Sequence, residues 1–254
     1  MSEPLHEVID LGDQQLTAAR WGAGPIGIVM LHDGLGSISQ WRSVPAEVAA
    51  RTGRTVLAYE RAGHGTSVPV PTGAWPADWL HREADVLGRV LEALDLDDLF
   101  LVGHSDGGST ALIHACEPAR RITGVIAIAP HTWVEDICWT SIVEMRAQPE
   151  RLVAGLARHH AQPEAVFEAW SGVWVSDEFR RWDIRPMLHR IDVPTVIAQG
   201  TEDPYASAEQ VHASVAAIGG NASSRFLEGL GHIAHHDDAG AVVDAIVDAY
   251  DASA

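Results

Sequence analysis

The feature that most constrains the fold is the run Gly103-His104-Ser105-Asp106-Gly107 near the middle of the chain. It follows a predicted strand at residues 99–102 and opens a predicted helix at residues 105–116. A serine at such a strand-to-helix junction occupies a sharp, strained turn, and small flanking residues relieve the crowding there. The run therefore indicates a parallel α/β sheet that presents Ser105, a candidate nucleophile, at the carboxyl ends of its strands.

The rest of the chain supports this architecture, because short apolar runs alternate with stretches of helical period. The predicted strands cover residues 5–11, 15–21, 26–31, 55–59, 99–102, 125–129, 195–198 and 224–227. The predicted helices cover residues 40–51, 79–94, 105–116, 207–217 and 239–252. From residue 130 to residue 189 the alternation stops, and mostly helical sequence carries five of the nine tryptophans. We therefore predict a core of residues 1–129 and 190–254 with a small helical cap inserted at residues 130–189.

A serine hydroxyl is a poor nucleophile near neutral pH, so it needs a base, and the base needs an acid that fixes its tautomer. In a chain with this turn the acid and then a histidine follow the serine in sequence. Asp203 comes just after the predicted strand 195–198, where a loop faces the carboxyl edge of the sheet. We predict Asp203 as the acid. Neighbouring Glu202 is its nearest rival, and Glu135 or Asp136 is a less usual source.

The predicted base is His232, in the run Gly229-Leu230-Gly231-His232 after the strand 224–227. His235 and His236 lie three and four residues further on, a spacing that could also suit a metal site on a helix. The acidic residues that follow are better explained as the cap of the last helix, where a carboxylate is favoured. We therefore expect a catalytic histidine loop and no metal.

Attack on a carbonyl group creates an oxyanion, which needs hydrogen-bond donors. At this kind of turn one donor is the amide after the serine, here that of Asp106. The other comes from the loop after an early strand, here His32-Asp33-Gly34-Leu35-Gly36-Ser37. Gly34 is the predicted second donor, with Leu35 or Asp33 as alternatives.

Composition narrows the chemistry and the partners. The formal charge of −18 repels nucleic acid and anionic membranes, so we expect neither as a partner. All 17 basic residues are arginine, which excludes lysine Schiff-base chemistry and a P-loop. Cys116 and Cys138 cannot form a disulfide framework, and residues 1–10 lack the features of a secretion signal. We expect a cytoplasmic protein that acts on a small molecule, and the sequence leaves its oligomeric state open.

Together these segments resemble the α/β-hydrolase superfamily over nearly the whole chain. The likeness includes residues 60–67, Glu-Arg-Ala-Gly-His-Gly-Thr-Ser, in which Glu60 replaces the usual aspartate of that turn. Within the superfamily, the runs at residues 105–108 and 35–37 are similar to the biphenyl hydrolase-like, valacyclovir-hydrolase type of enzyme. That resemblance implies that Asp106 recognises the amino group of an α-amino-acid ester. The alternative is that its carboxylate only favours the start of a helix.

The predicted cap should form the substrate pocket, and its tryptophans are candidate lining residues. They are Trp133, Trp139, Trp170, Trp174 and Trp182. Trp133 and Trp139 are predicted to bind substrate, although tryptophans in a helical insert often pack against the main domain instead.

The expectation from the sequence is a serine hydrolase that cleaves a carboxylic ester through an acyl-enzyme and needs no cofactor. Ser105 attacks, His232 moves the proton and Asp203 orients the imidazolium. The same triad would serve the hydrolysis of lactones or of C–C bonds. A perhydrolase, a cofactor-free oxygenase and a non-catalytic small-molecule receptor are further alternatives on this scaffold.

Overall fold

The computed structural model describes residues 3–117 and 122–253, in which eight strands form one sheet. The strands are β1 (Leu5–Asp10), β2 (Gln15–Trp21), β3 (Ile26–Leu31), β4 (Thr55–Tyr59), β5 (Leu99–His104), β6 (Ile122–Ile128), β7 (Thr195–Gly200) and β8 (Ala222–Leu227). Their order across the sheet is β1-β2-β4-β3-β5-β6-β7-β8. β2 pairs antiparallel with β1 and with β4, and the remaining pairs are parallel. This mostly parallel arrangement confirms the predicted fold class.

Helices cover both faces of the sheet. In the described residues they are α1 (Val44–Thr52), α2 (Trp79–Ala93), α3 (Asp106–Ala115), α4 (Asp136–Ala147), α5 (Glu150–Leu156), α6 (Pro163–Trp174), α7 (Ala208–Ile218), α8 (Ala234–Asp237) and α9 (Ala239–Asp251). α1 and α9 contribute Val48 and Ile246 to the core on one face. α2 and α3 contribute Leu87 and Leu112 to the core on the other. Because both faces are covered, β4 and β5 are buried at every residue, which agrees with their mostly apolar sequences.

The helix predicted at residues 40–51 is wrong in its first third. A short 3-10 helix covers Ile38–Trp41, Arg42 has a positive φ of 53°, and α1 begins at Val44. Pro45 explains the late start, because proline is tolerated only in the first turn of a helix. The other four predicted helices agree with the structure to within one residue at each end.

The segment predicted as a cap, residues 130–189, contains α4, α5, α6 and a 3-10 helix at Phe179–Arg181. A second 3-10 helix, Arg185–Arg190, leads into β7. The segment contacts the core through the Trp75 amide, which donates to the Ala169 carbonyl at 3.2 Å, and the Ala161 amide, which donates to the Gly65 carbonyl at 2.7 Å. The division into a core and a cap with these boundaries stays a prediction. Within the described part of the chain, no helix has the length and apolar character needed to cross a membrane.

Candidate active site

Ser105 lies at the junction of β5 and α3 in a backbone conformation that non-glycine residues rarely adopt, with φ 52° and ψ −120°. Its amide donates to the Ile128 carbonyl at 2.8 Å, which fixes the turn to β6. A side chain at Gly107 would overlap the carbonyl of Leu31 in the neighbouring strand. The glycine therefore lets α3 approach β3, and this close packing holds the strained turn in place.

Three side chains from three loops form a continuous hydrogen-bonded chain. His232 Nε2 lies 2.9 Å from Ser105 Oγ, and His232 Nδ1 lies 2.8 Å from Asp203 Oδ2. The Tyr205 amide donates to Asp203 Oδ1 at 2.8 Å, so both carboxylate oxygens are engaged. Asp203 follows β7 and His232 follows β8, which brings both to the carboxyl edge of the sheet beside the serine.

The rivals of Asp203 are placed elsewhere. Glu202 is exposed, Glu135 accepts hydrogen bonds from Ser207 at 2.6 and 3.1 Å, and Asp136 pairs with Arg180 at 2.7 Å. Burial alone would raise the pKa of Asp203, but the hydrogen bond to His232, the charge on that ring and the hydrogen bond from the Tyr205 amide together outweigh burial and lower that pKa. Asp203 is therefore a carboxylate at neutral pH, as an acid that orients a histidine must be.

The loop after β3 lines the cavity beside the serine, and hydrogen bonds occupy two of its amides. The Leu35 amide donates to Asp33 Oδ1 at 2.9 Å and the Gly36 amide to the Asp33 carbonyl at 3.1 Å. The Gly34 amide has no such partner in the described residues, and Gly34 lines the cavity together with Asp106. These bonds exclude the Leu35 amide and leave those of Gly34 and Asp33, so Gly34 stays the predicted second donor beside the amide of Asp106.

Buried polar side chains hold this loop. Arg61 donates to the carbonyls of His32 and Asp33 at 3.1 and 2.5 Å, and His64 Nε2 lies 2.9 Å from the Gly34 carbonyl. Burial lowers the pKa of His64 to about 3, so the ring is neutral and donates from Nε2. The turn that the sequence identified at residues 60–67 therefore anchors the oxyanion loop.

A second carboxylate–histidine pair, Asp33 and His104, lies next to the pair formed by Asp203 and His232. His104 Nε2 donates to the His232 carbonyl at 2.8 Å, and His104 Nδ1 lies 3.3 Å from Asp33 Oδ2. Burial alone would lower the pKa of His104, but the Asp33 carboxylate outweighs burial and raises it. His104, the second residue of the glycine-rich run, therefore positions the backbone of His232.

Asp106 is 1% exposed, and its carboxylate faces the cavity. Trp170 Nε1 of α6 donates to its Oδ2 at 2.9 Å, while Oδ1 is buried without a protein partner in the described residues. Burial raises the pKa of Asp106 to about 6. Trp170 and Trp174 both act against this rise, so the group is a buried and unusually basic carboxylate beside two indoles of α6.

A cavity of about 160 Å³ opens onto Ser105. Its wall is mostly apolar and comes largely from the cap segment (residues 130–189): Cys138, Ile142, Met145, Leu152, Leu156, Trp170 and Trp174. Trp133 and Trp139, which were predicted to bind substrate, do not line it. They stack on Arg185 and Arg180, each with 4.2 Å from the guanidinium carbon to the ring centre.

Sequence analysis missed His131, which lines the cavity after β6. Burial lowers its pKa to about 3, so it adds no charge beside His232. Its position after a central strand was the available signal. His235 and His236 do not join the triad: His235 stacks on Trp41, with ring centres 4.9 Å apart. His236 Nε2 donates to the Gln40 carbonyl at 2.9 Å. Among residues 3–117 and 122–253, no group of three or more metal-ligating side chains is arranged to hold a metal ion.

Replacing Gly34 with alanine is expected to lower kcat/KM for an ester about a hundredfold, the typical loss on removing one oxyanion donor. A Cβ there would overlap the Trp170 indole and the Asp106 carboxylate, so the loop must shift. Gly24→Ala is the control, since its Cβ meets no atom within 4 Å. Steady-state rates and thermal melting of both variants test this. Equal activity of the two folded variants would contradict the role given to the Gly34 amide.

The turn at Ser105, the strand order and the histidine after the last strand place the chain in the class of α/β hydrolases. Comparison with known families agrees. Residues 28–245 match the alpha/beta hydrolase family, and the chain belongs to it.

Individual relatives are distant. The chain is 26% identical to esterase YbfF of Escherichia coli (strain K12) over 238 residues, covering 86% of this chain and 91% of that protein. It is 29% identical to the human serine hydrolase BPHL over 160 residues, covering 59% of this chain and 54% of that protein. It is 31% identical to a non-heme chloroperoxidase of Streptomyces lividans over 216 residues, covering 71% of this chain and 75% of that protein.

Proposed function

We propose that this protein is a serine hydrolase that cleaves a carboxylic ester of a small molecule through an acyl-enzyme. The observation that carries the proposal is the hydrogen-bonded chain Ser105–His232–Asp203 opening into an apolar cavity. The similarity to esterase YbfF extends over most of both chains and supports ester hydrolysis. BPHL, called a serine hydrolase, is similar over about half of its own length.

In the proposed mechanism Ser105 Oγ attacks the ester carbonyl carbon while His232 Nε2 takes its proton. The carbonyl oxygen becomes an oxyanion between the amides of Gly34 and Asp106. The tetrahedral intermediate collapses, and the alcohol leaves with the proton from His232. Water then attacks the acyl-enzyme with His232 as base, which releases the acid and restores the serine. Asp203 keeps the imidazole in the required tautomer throughout.

The simplest test is steady-state hydrolysis of short p-nitrophenyl esters by the purified chain, with the released acid identified by mass spectrometry. We expect saturable turnover. When the protein is heated, this activity should be lost over the same temperature range as the folded structure. A folded, monodisperse sample with no turnover on any ester of a panel of acyl and alcohol groups would overturn the proposal.

Asp106 narrows the substrate class within this proposal. Asp106 lines the cavity in mostly apolar surroundings, where a carboxylate favours an ammonium group because little solvent screens the charge. We therefore propose that α-amino-acid esters are preferred, with the ammonium group bound at Asp106. If the Asp106 carboxylate served only to favour the start of α3, its buried Oδ1 would have no hydrogen-bond partner in the described residues.

The Asp106→Asn variant tests this preference. We expect kcat/KM for an α-amino-acid ester to fall about tenfold while that for its deaminated analogue changes less than twofold. The ratio of the two should also fall from pH 7 to pH 5, because Asp106, with a pKa of about 6, protonates and loses its charge. The α-amino group stays protonated over that range. A ratio that is independent of pH, or equal losses on both esters, would contradict the amine-binding role.

A second candidate, perhydrolysis, is favoured by the similarity to the chloroperoxidase. Here hydrogen peroxide replaces water in the second step, so the acyl-enzyme yields a peroxyacid and free serine. Peroxide-dependent halogenation in a carboxylate buffer measures this activity. Turnover with peroxide that exceeds ester hydrolysis by water would make it the main function.

A further inference from the structure

A cationic groove lies beside the cavity. It has a volume of about 530 Å³ and shares Gln40, Leu152 and Leu156 with the cavity wall. Three arginines and two histidines line it: Arg42, Arg151, Arg158, His159 and His236. No aspartate or glutamate of the described residues lines the groove. Within the described residues, the charged side chains that line this groove beside the proposed active site are therefore positive.

This concentration of charge contrasts with the rest of the protein, whose formal net charge is −18. Eight arginines elsewhere pair with carboxylates: Arg20, Arg51, Arg82, Arg89, Arg146, Arg180, Arg185 and Arg225. In residues 3–117 and 122–253, no carboxylate forms such a pair with Arg42, Arg151 or Arg158. Arg54, Arg61, Arg181 and Arg190 also have no carboxylate partner in the described residues. What distinguishes Arg42, Arg151 and Arg158 is that they line one groove, where they can bind an anion from outside.

The groove has an ordered polar floor. Arg42 Nη1 donates to the His236 carbonyl at 3.2 Å, and His159 Nδ1 lies 2.8 Å from Ser39 Oγ. Burial and nearby arginines lower the pKa of His159 and of His236, so both rings are neutral at pH 7. Guanidinium groups therefore carry the positive charge, and they hold it across the working pH range.

We propose that this groove binds a carboxylate or phosphate carried by the substrate at some distance from the scissile ester. This inference rests on the proposed ester hydrolysis. The ester carbonyl would lie at Ser105, and the chain of the substrate would pass Leu152 and Leu156, which both sites share. The anion would then reach the forked guanidinium groups, whose geometry matches either group. The strongly negative remainder of the protein repels large polyanions, which leaves small anionic esters as the matching class.

The test compares paired substrates on one protein. Mono-p-nitrophenyl esters of dicarboxylic acids of rising chain length are measured against their ω-methyl esters, which lack the charge. A second series carries the carboxylate on the alcohol side, and a third replaces it with a phosphate. We expect the wild type to prefer the anionic member of at least one pair about tenfold, with a preference that shrinks as salt is added. The series with the strongest anionic preference shows whether the groove binds a carboxylate or a phosphate. It also shows whether that anion lies on the acyl side or the alcohol side of the ester.

The variants are Arg151→Gln with Arg158→Gln, combined, and the control Arg181→Gln, an exposed arginine of the cap segment outside the groove. We expect the double variant to lose most of the anionic preference and to keep neutral-ester turnover, while the control keeps both. Neutral turnover without an anionic preference in any series would overturn the groove assignment. So would a preference that survives in the double variant. Absence of all ester turnover would instead overturn the proposed function, so the two failures are distinguishable.

Discussion

Ser105→Ala is expected to lower kcat/KM for any ester substrate by at least about a thousandfold, because the covalent step loses its nucleophile. The turn should survive, since alanine is smaller than serine and the backbone bond from residue 105 to Ile128 is kept. A fluorophosphonate reagent should label the wild type once and leave this variant unlabelled. Intact-protein mass spectrometry with peptide mapping measures both.

Ser141→Ala is the matched control for this result. Ser141 lies in α4 and makes only a 3.5 Å contact with the Pro204 carbonyl. It should keep its activity and its labelling. Labelling of the Ser105→Ala variant at another serine, with turnover retained, would show that the nucleophile lies elsewhere.

Asp203→Asn is expected to cost about a thousandfold or more in kcat, with little change in KM. The amide cannot stabilise the imidazolium that forms as Ser105 attacks, and its NH₂ group favours the wrong tautomer of His232. Burial would otherwise raise the pKa of Asp203, and the hydrogen bond to His232 is the largest of several interactions that together offset burial and keep the carboxylate ionised.

Glu202→Gln is the control for the acid assignment, because it alters the neighbouring carboxylate in the same loop. Glu202 is exposed and lies outside the cavity lining, so we expect full activity. A large loss in Glu202→Gln together with a small loss in Asp203→Asn would reverse the assignment. Steady-state kinetics of both variants at one pH are sufficient.

The sheet and the meeting of Ser105, Asp203 and His232 were predictable because each leaves a local signal. Central strands are continuous apolar runs, since both of their faces are buried. Ser105, Asp203 and His232 each follow such a run directly, and the carboxyl ends of parallel strands meet at one edge. Short-range pattern and topology are thus sufficient to bring three distant residues together.

The residues that line the cavity were less predictable, because no local sequence pattern shows which face of a helix in the cap segment lies toward the cavity. Trp133 and Trp139 stack on arginines outside the cavity, whereas Trp170 and Trp174 line it. The latter two lie four residues apart on α6, on the face that also buries Phe167. That helical spacing was the signal available for choosing between the pairs.

The start of α1 and the cationic groove show two further limits. Arg42 has a positive φ, a conformation that is usually found at glycine. The residue type at position 42 therefore does not predict that the chain turns there before α1 begins. The groove joins Arg42 to Arg151 and Arg158, residues that come together only after the cap segment has packed. The net charge is a sum over the whole chain, so it does not reveal a local cluster of positive side chains on a protein that is negative as a whole.

The bond from Trp170 to Asp106 has a consequence for how enzymes of this architecture diverge. It makes Trp170, in the segment predicted as a cap, part of the electrostatic environment of α3, the helix that begins directly after Ser105. Exchanging the insertion for that of a relative would therefore retune the acidity of a core carboxylate as well as reshape the pocket. A recombination event that exchanged residues 130–189 would therefore change the substrate specificity and the pKa of Asp106 together.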